Sequence, residues 1–433
     1  MGLGHVRAAF PLRHMAKGGV ILYGSPAATP PAEYRIWRKI KRLYYVVSRA
    51  GNLPVIGKYI LAPMLAMQKI EPYYPRTDLS KPNLGVFYLD YLIRKKRIGQ
   101  ALIHTIRQTR IPVIHTFYAT AIALERLGLT DRPNYLLICD ADMNRIWVSK
   151  HPRSSEIVYL APCTQVKNRL LSYGVRPEKI LITGFPLPKE NIGEAASMHI
   201  LKADLYGRLL RLDPTGKFFS YHRKSVQFWL NRRGAPAIRD RAFQLTFAVG
   251  GAGAQVEMVE ILLKSLKGKI ITGKIKIGLS AGIDLRVYKK IEHIINALRL
   301  SEFLGRSIEI VYHSDVREYM VAFNRMLRRT DVLWTKPSEL SFFCALGIPI
   351  LLAPAIGTHE ALNRRWLHEI HAGIDPPGAV EYVHEWLFDL RRNGRLAEAA
   401  WDGFLKARKL GVYKIEALIA TGRFHDGETP LEQ

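Results

Sequence analysis

Short apolar runs punctuate the second half of the chain at residues 245–249, 274–279, 308–312, 332–334 and 348–352. Each is followed by a stretch whose apolar positions recur at helical spacing, so strand and helix alternate. Parallel strands need long crossovers and bury both faces, so this rhythm predicts a parallel sheet covered by helices. Beyond Asp375 the pattern turns helical, over 380–391 and then 395–420. The first half repeats the alternation less regularly. Strands are predicted at 20–23, 84–88, 111–114, 135–139, 157–161 and 179–183, with helices over 98–109 and 120–127. The intervening residues 187–242 have weak periodicity, many charges and clustered Pro and Gly, which predicts a linker and an insertion. The expected organisation is an N-terminal parallel-sheet domain over 1–186, a linker and basic insertion over 187–242, a second parallel-sheet domain over 243–395 and a helical segment over 396–433. Gly4-His5 has the look of a strand-to-helix turn, yet no strand precedes it.

Composition narrows the partners. Lys and Arg number 64 against 37 Asp and Glu, a net charge of +27, while 48% of residues are hydrophobic. That is a folded chain with a basic surface, suited to phosphate-bearing partners such as nucleotides, anionic lipid headgroups or nucleic acid. Three cysteines, Cys139, Cys163 and Cys344, lack the spacing of a zinc or redox site. They are read as reduced packing residues of a cytoplasmic protein. No apolar run reaches the length of a membrane span. Residues 34–49 interleave Arg35, Arg38, Lys39, Lys41, Arg42 and Arg49 with Trp37, Tyr44 and Tyr45, and an apolar segment runs on to Met67. On a helix this mixture makes a membrane-surface patch. The mixture recurs over 217–239, read as a mobile insertion whose aromatics could also stack on nucleic-acid bases.

The strongest local signal for chemistry follows the strand at 245–249. Gly250, Gly251, Ala252 and Gly253 lead into a helix from Val256. Free backbone N–H groups and the positive end of a helix dipole there suit a pyrophosphate, and glycines let an anion approach where a Cβ would intrude. A tight packing turn is the competing reading. Glu339, in the first turn after the strand at 332–334, either complements a helix dipole or accepts the two hydroxyls of a ribose. After the next strand a Pro/Gly loop presents His359, Glu360 and Asn363 at a helix start, polar groups suited to sugar hydroxyls.

In this order, Gly250-Gly251-Ala252-Gly253-Ala254, Lys336-Pro337-Ser338-Glu339 and the segment from Ala345 to Asn363 resemble the C-terminal domain of nucleotide-sugar glycosyltransferases with two facing Rossmann-like domains, the GT-B type. The likeness is to the group of MurG, the peptidoglycan lipid-intermediate N-acetylglucosaminyltransferase, and the monogalactosyldiacylglycerol synthases. Gly4-His5-Val6-Arg7-Ala8-Ala9 is similar to the group's Gly-His-x-x-Ala-Ala loop, and residues 159–186 to the segment before its interdomain linker. The resemblance implies an α/β fold of two parallel-sheet domains with a cleft between them. It also implies a UDP-sugar as substrate, no cofactor or metal, and a lipid-linked acceptor at the inner membrane surface. Gly250 to Gly253 would hold the donor diphosphate, Glu339 and His313 the ribose and base, and His359, Glu360 and Asn363 the sugar. Gly4, His115 and Thr116 would lie on the acceptor side.

Two base candidates follow from the same resemblance. His5 would face the cleft from the N-terminal domain. Asp140, spaced from Trp147 as in the lipid galactosyltransferases, is its competitor. Asp140-Ala141-Asp142 could instead hold a divalent metal, as in single-domain transferases. The glycine turn already supplies positive potential, which favours the metal-free reading. Two alternatives stay open: a nucleotide-sugar epimerase of the same fold, and a non-catalytic membrane- or nucleic-acid-binding protein on a transferase scaffold, although nucleic acid is the less favoured partner.

Overall fold

The computed structural model describes residues 3–50, 69–231, 242–249, 255–355, 357–427, 429 and 431–432; of residues 41 and 43–50 only the helical backbone is described. The chain forms two compact units, one of Leu12–Phe185 with Ile415–Phe424, the other of Gly2–Pro11, Pro186–Lys414 and His425–Gln433. Each has a parallel sheet, so the expected α/β class with two parallel-sheet domains is the observed one.

The first unit carries four strands, β1 (Val113–His115), β2 (Asn134–Leu137), β3 (Val158–Ala161) and β4 (Ile180–Ile182), in the order β1-β2-β3-β4. All three pairings are parallel. Leu136, Leu137, Tyr159 and Leu160 are fully buried, as central parallel strands require. Two expected strands are absent. Residues 84–88 lie instead in the helix Leu84–Lys96, whose N-cap Asn83 accepts a hydrogen bond from the Val86 N–H at 3.0 Å. Buried Val86, Leu89, Leu92 and Ile93 continue at helical spacing past the short run that suggested a strand. Residues 20–23 are irregular. Tyr23 there donates its hydroxyl to Glu33, which also accepts the Gly99 N–H at 2.7 Å, so side chains fix this segment without a ladder.

The second unit carries β5 (Phe243–Ala248), β6 (Ile275–Gly282), β7 (Ile308–Tyr312), β8 (Val332–Thr335), β9 (Ile350–Leu352) and β10 (Gly373–Ile374), the last too short to register in the sequence. The order β10-β9-β8-β5-β6-β7 is wholly parallel. Counted from β5, it is the 3-2-1-4-5-6 order of the doubly wound dinucleotide fold. Every residue of β5 is buried, and Trp334 of β8 packs edge-on to Phe247 of β5 with centroids 5.9 Å apart.

The described residues 187–231 do not form the expected linker and insertion. Helix His199–Leu212 is built into the second unit because its buried Arg208 donates to the carbonyls of Thr330, Leu346 and Gly347 at 2.7, 2.9 and 3.1 Å. Its Arg211 pairs with buried Asp331 at 2.8 Å. Helix Lys217–Leu230 follows, with Phe218 buried and stacked on His222; the rest of the basic stretch, 232–241, lies outside the described residues, as does the apolar segment 51–68. The basic aromatic stretch from residue 34 is helical within Pro31–Ala50. The C-terminal helical segment is likewise divided. Helix Arg395–Lys406 packs in the second unit, and helix Gly411–Thr421 leads into the part of the chain that belongs to the first.

Candidate functional site

In a sheet of this order the crossovers from β5 and from β8 leave in opposite directions, so the carboxyl ends of β5 and β8 lie next to each other with no crossover between them. Ligands of doubly wound sheets bind at such a point. The turn after β5, Gly250, Gly251, Ala252 and Gly253, lies outside the described residues. Both of its flanks are among the described residues. The Val249 N–H donates to the Ser280 carbonyl at 3.1 Å, and Gln255, at φ 88°, opens helix Val256–Ile271. Small residues therefore join a fully buried strand to the start of a 16-residue helix.

The neighbouring exit, from β8, runs Thr335-Lys336-Pro337-Ser338 into the 3-10 helix Glu339–Leu346, whose N-cap is Ser338. Glu339 faces helix Leu3–Ala9 of the same unit. Its Oε1 accepts from Arg7 Nε at 3.1 Å, and a Cβ on Gly4 would fall 2.8 Å from its Oε2. Only glycine lets that carboxylate lie against the helix backbone. Arg7 is buried, its guanidinium 4.6 Å from the Phe323 ring centroid and within reach of the Tyr319 hydroxyl at 3.5 Å. A carboxylate held on one oxygen by a buried arginine is oriented in advance for a partner on the other.

The next exit, from β9, leads to helix Thr358–Glu369. Glu360, buried in its first turn, accepts from Lys336 Nζ at 2.6 Å. Asn363, fully buried one turn on, donates to the Pro337 carbonyl at 3.4 Å. The loop after β8 and the helix after β9 are thus tied together by an ion pair and a hydrogen bond from a side-chain amide. Glu339, Glu360 and Asn363, all anticipated from the sequence, gather on the segment 336–339. His359 opens the same helix, its ring close to Gly357. The sequence reading did not assign Lys336 or Arg7 a role. Both stand within the motifs that carried it, each a cation in an otherwise apolar or small-residue run, and only a partner distant in sequence gives them meaning.

The remaining candidates lie elsewhere. His5 sits half-buried on helix Leu3–Ala9, which belongs to the second unit and not to the N-terminal one expected for it. Arg7 and Gly4 fasten that helix to Glu339. His313, after the edge strand β7, pairs with Glu318 at 3.3 Å while both remain largely exposed, and Asp315 caps the following helix. His115 ends β1 in the first unit. Its Nδ1 lies 2.8 Å from Thr120 Oγ1, which itself donates to the Phe117 carbonyl, so Nδ1 carries the proton. Nε2 is buried without a hydrogen-bond partner among the described residues, and burial pushes the imidazole pKa down to about 3, leaving it neutral. Thr116 follows it, and Asp140 leaves the end of the adjacent β2, half-buried. Asp142 is fully engaged by Arg169 at 2.8 and 2.9 Å. Among the described residues no group of three or more His, Cys, Asp or Glu stands where it could hold a metal ion.

Residues 288–416 match the model of a domain of unknown function (DUF6938). No curated protein matches the chain in sequence. Similar solved structures include Staphylococcus aureus MnaA with UDP, at 12% identity and TM-score 0.44, covering 85% of this chain and 86% of that one. Acinetobacter baumannii MurG is similar at 14% identity and TM-score 0.45, covering 84% and 87%. Neisseria meningitidis UDP-GlcNAc 2-epimerase bound to UDP-GlcNAc is similar at 12% identity and TM-score 0.44, covering 84% and 90%.

Proposed function

We propose that the protein is a glycosyltransferase that takes a nucleotide-diphosphate sugar, a UDP-sugar, and transfers the sugar to an acceptor hydroxyl at a membrane surface. The observation that carries this reading is the gathering of Glu339, the Lys336–Glu360 pair and Asn363 on the loops after β8 and β9, beside the exit of β5. Glu339, steadied by Arg7, accepts the ribose hydroxyls. Glu360 and Asn363 address the sugar, and the turn of Gly250 to Gly253 receives the diphosphate, whose developing charge the backbone N–H groups stabilise as it leaves. Inversion at the anomeric carbon needs the acceptor proton removed, a role for Asp140 or His5. A lipid-linked acceptor agrees with the net charge of +27, which draws the protein to anionic bilayers.

Incubation of purified protein with UDP-sugars, alone and with lipid extract, tests the reading. The expected outcome is UDP release that depends on lipid and yields a glycosylated lipid. Conversion of the UDP-sugar to its epimer without lipid would make the protein an epimerase. In calorimetry, Glu339→Gln is expected to weaken UDP binding about tenfold or more, the cost of a charged hydrogen bond.

A further inference from the structure

Helix Leu84–Lys96 of the first unit is anchored by one face only. Val86, Leu89, Leu92 and Ile93 are buried, while Leu84 is 73% exposed, Phe87 48%, Tyr88 46% and Tyr91 49%. The exposed four stand at i, i+3, i+4 and i+7, a single stripe. One turn beyond it come Arg94, Lys95, Lys96 and Arg97, all exposed. The helix has one acid, Asp90, and that side chain is buried on the flank, where it binds Arg126 at 2.8 Å and Lys150 at 3.5 Å. Lys150 also sits 5.0 Å from the Phe87 ring centroid. Solvent therefore meets an aliphatic and aromatic stripe, with cations along one flank and at its end and no exposed acid on the helix itself.

We propose that this face is where the protein lies on a membrane, with Leu84, Phe87, Tyr88 and Tyr91 entering the headgroup boundary and Lys95, Lys96 and Arg97 meeting anionic lipid. The inference rests on the membrane-surface reading given above and assigns it a location that the sequence had placed elsewhere, at residues 34–67. Charge complementarity selects the occupant. Tyr and Phe prefer the bilayer interface, and each Lys or Arg near an anionic leaflet adds attraction. A second copy of this chain would bring an identical cluster of four cations, and a protein already at +27, against the first.

Co-sedimentation with vesicles of phosphatidylglycerol and phosphatidylcholine, against phosphatidylcholine alone, tests it. Compared are the wild-type chain, the triple variant Leu84→Ser, Phe87→Ser, Tyr91→Ser, and the charge variant Lys95→Glu, Lys96→Glu, Arg97→Glu. Wild type is expected to bind the anionic vesicles, and each variant to bind them at least tenfold more weakly while keeping its circular dichroism and its UDP affinity. Should wild type and both variants sediment alike with anionic vesicles, the face is not the contact, although the membrane reading stands. If the wild type binds no vesicle, both the membrane reading and this face are wrong, leaving the nucleotide-sugar reading to its own test. Sedimentation velocity without lipid completes the set: a dimer abolished by the serine variant would make the stripe a self-interface and overturn the proposal.

Discussion

At the scale of single residues, sequence motifs pointed to Glu339, Glu360 and Asn363 as candidates but not to what steadies them. Glu339, Glu360 and Asn363 could be picked out because each follows a strand and opens a helix, a local pattern. Arg7 and Lys336 could not, because their partners lie 332 and 24 residues away. Burial has a second consequence at this scale. Burial holds down the pKa of His115 to about 3, and that of Lys409, which sits against the Phe404 ring at 5.0 Å, to about 7. The unfolded chain takes up a proton on His115 below about 6.5 and on Lys409 below about 10.4, whereas the folded chain does not until the lower values are reached. Stability therefore falls with falling pH in both windows, by at most about 1.4 kcal/mol per pH unit for each group. Thermal melts from pH 4 to 10 should show both declines. His115→Gln is expected to flatten the acid one and Lys409→Met the alkaline one, with Lys409→Met also raising the melting temperature at pH 7.

Among elements, the strands of the second unit were legible because five of the six are short runs rich in apolar residues, each followed by a stretch of helical spacing, whereas β10, of two residues, has no pattern to read. Helix Leu84–Lys96 was misread because a strand-length apolar window cannot distinguish a strand from the first turns of a helix. Helix His199–Leu212 was missed as a structural part because its attachment runs through buried arginine side chains to carbonyls, which hydrophobic periodicity does not record. Packing of helix Arg395–Lys406 shows how closely such elements are fitted. A Cβ on Gly403 would lie 2.6 Å from the Cys344 carbonyl oxygen. Gly403→Ala is expected to cost about 1–3 kcal/mol through overpacking, read as a melting temperature lowered by several degrees, even though alanine is the better helix former.

For the whole molecule, two α/β units with parallel sheets were foreseeable, since alternation alone dictates them, but the partition of the chain was not. The first helix and residues 186–414 form the second unit, and residues 415–424 return to the first, through contacts far apart in sequence. Topology then does what no motif could do alone: the 3-2-1-4-5-6 order brings together the ends of β5 and β8, the strands that precede two motifs some eighty residues apart. The central claim is that this place takes a nucleotide-diphosphate sugar. A crystal structure of the protein with UDP tests it most directly. The expected result is a ribose whose hydroxyls bond the Glu339 carboxylate, with the diphosphate against the backbone of residues 250–253. UDP bound away from the ends of β5 and β8, or no UDP at saturating concentration, would contradict it.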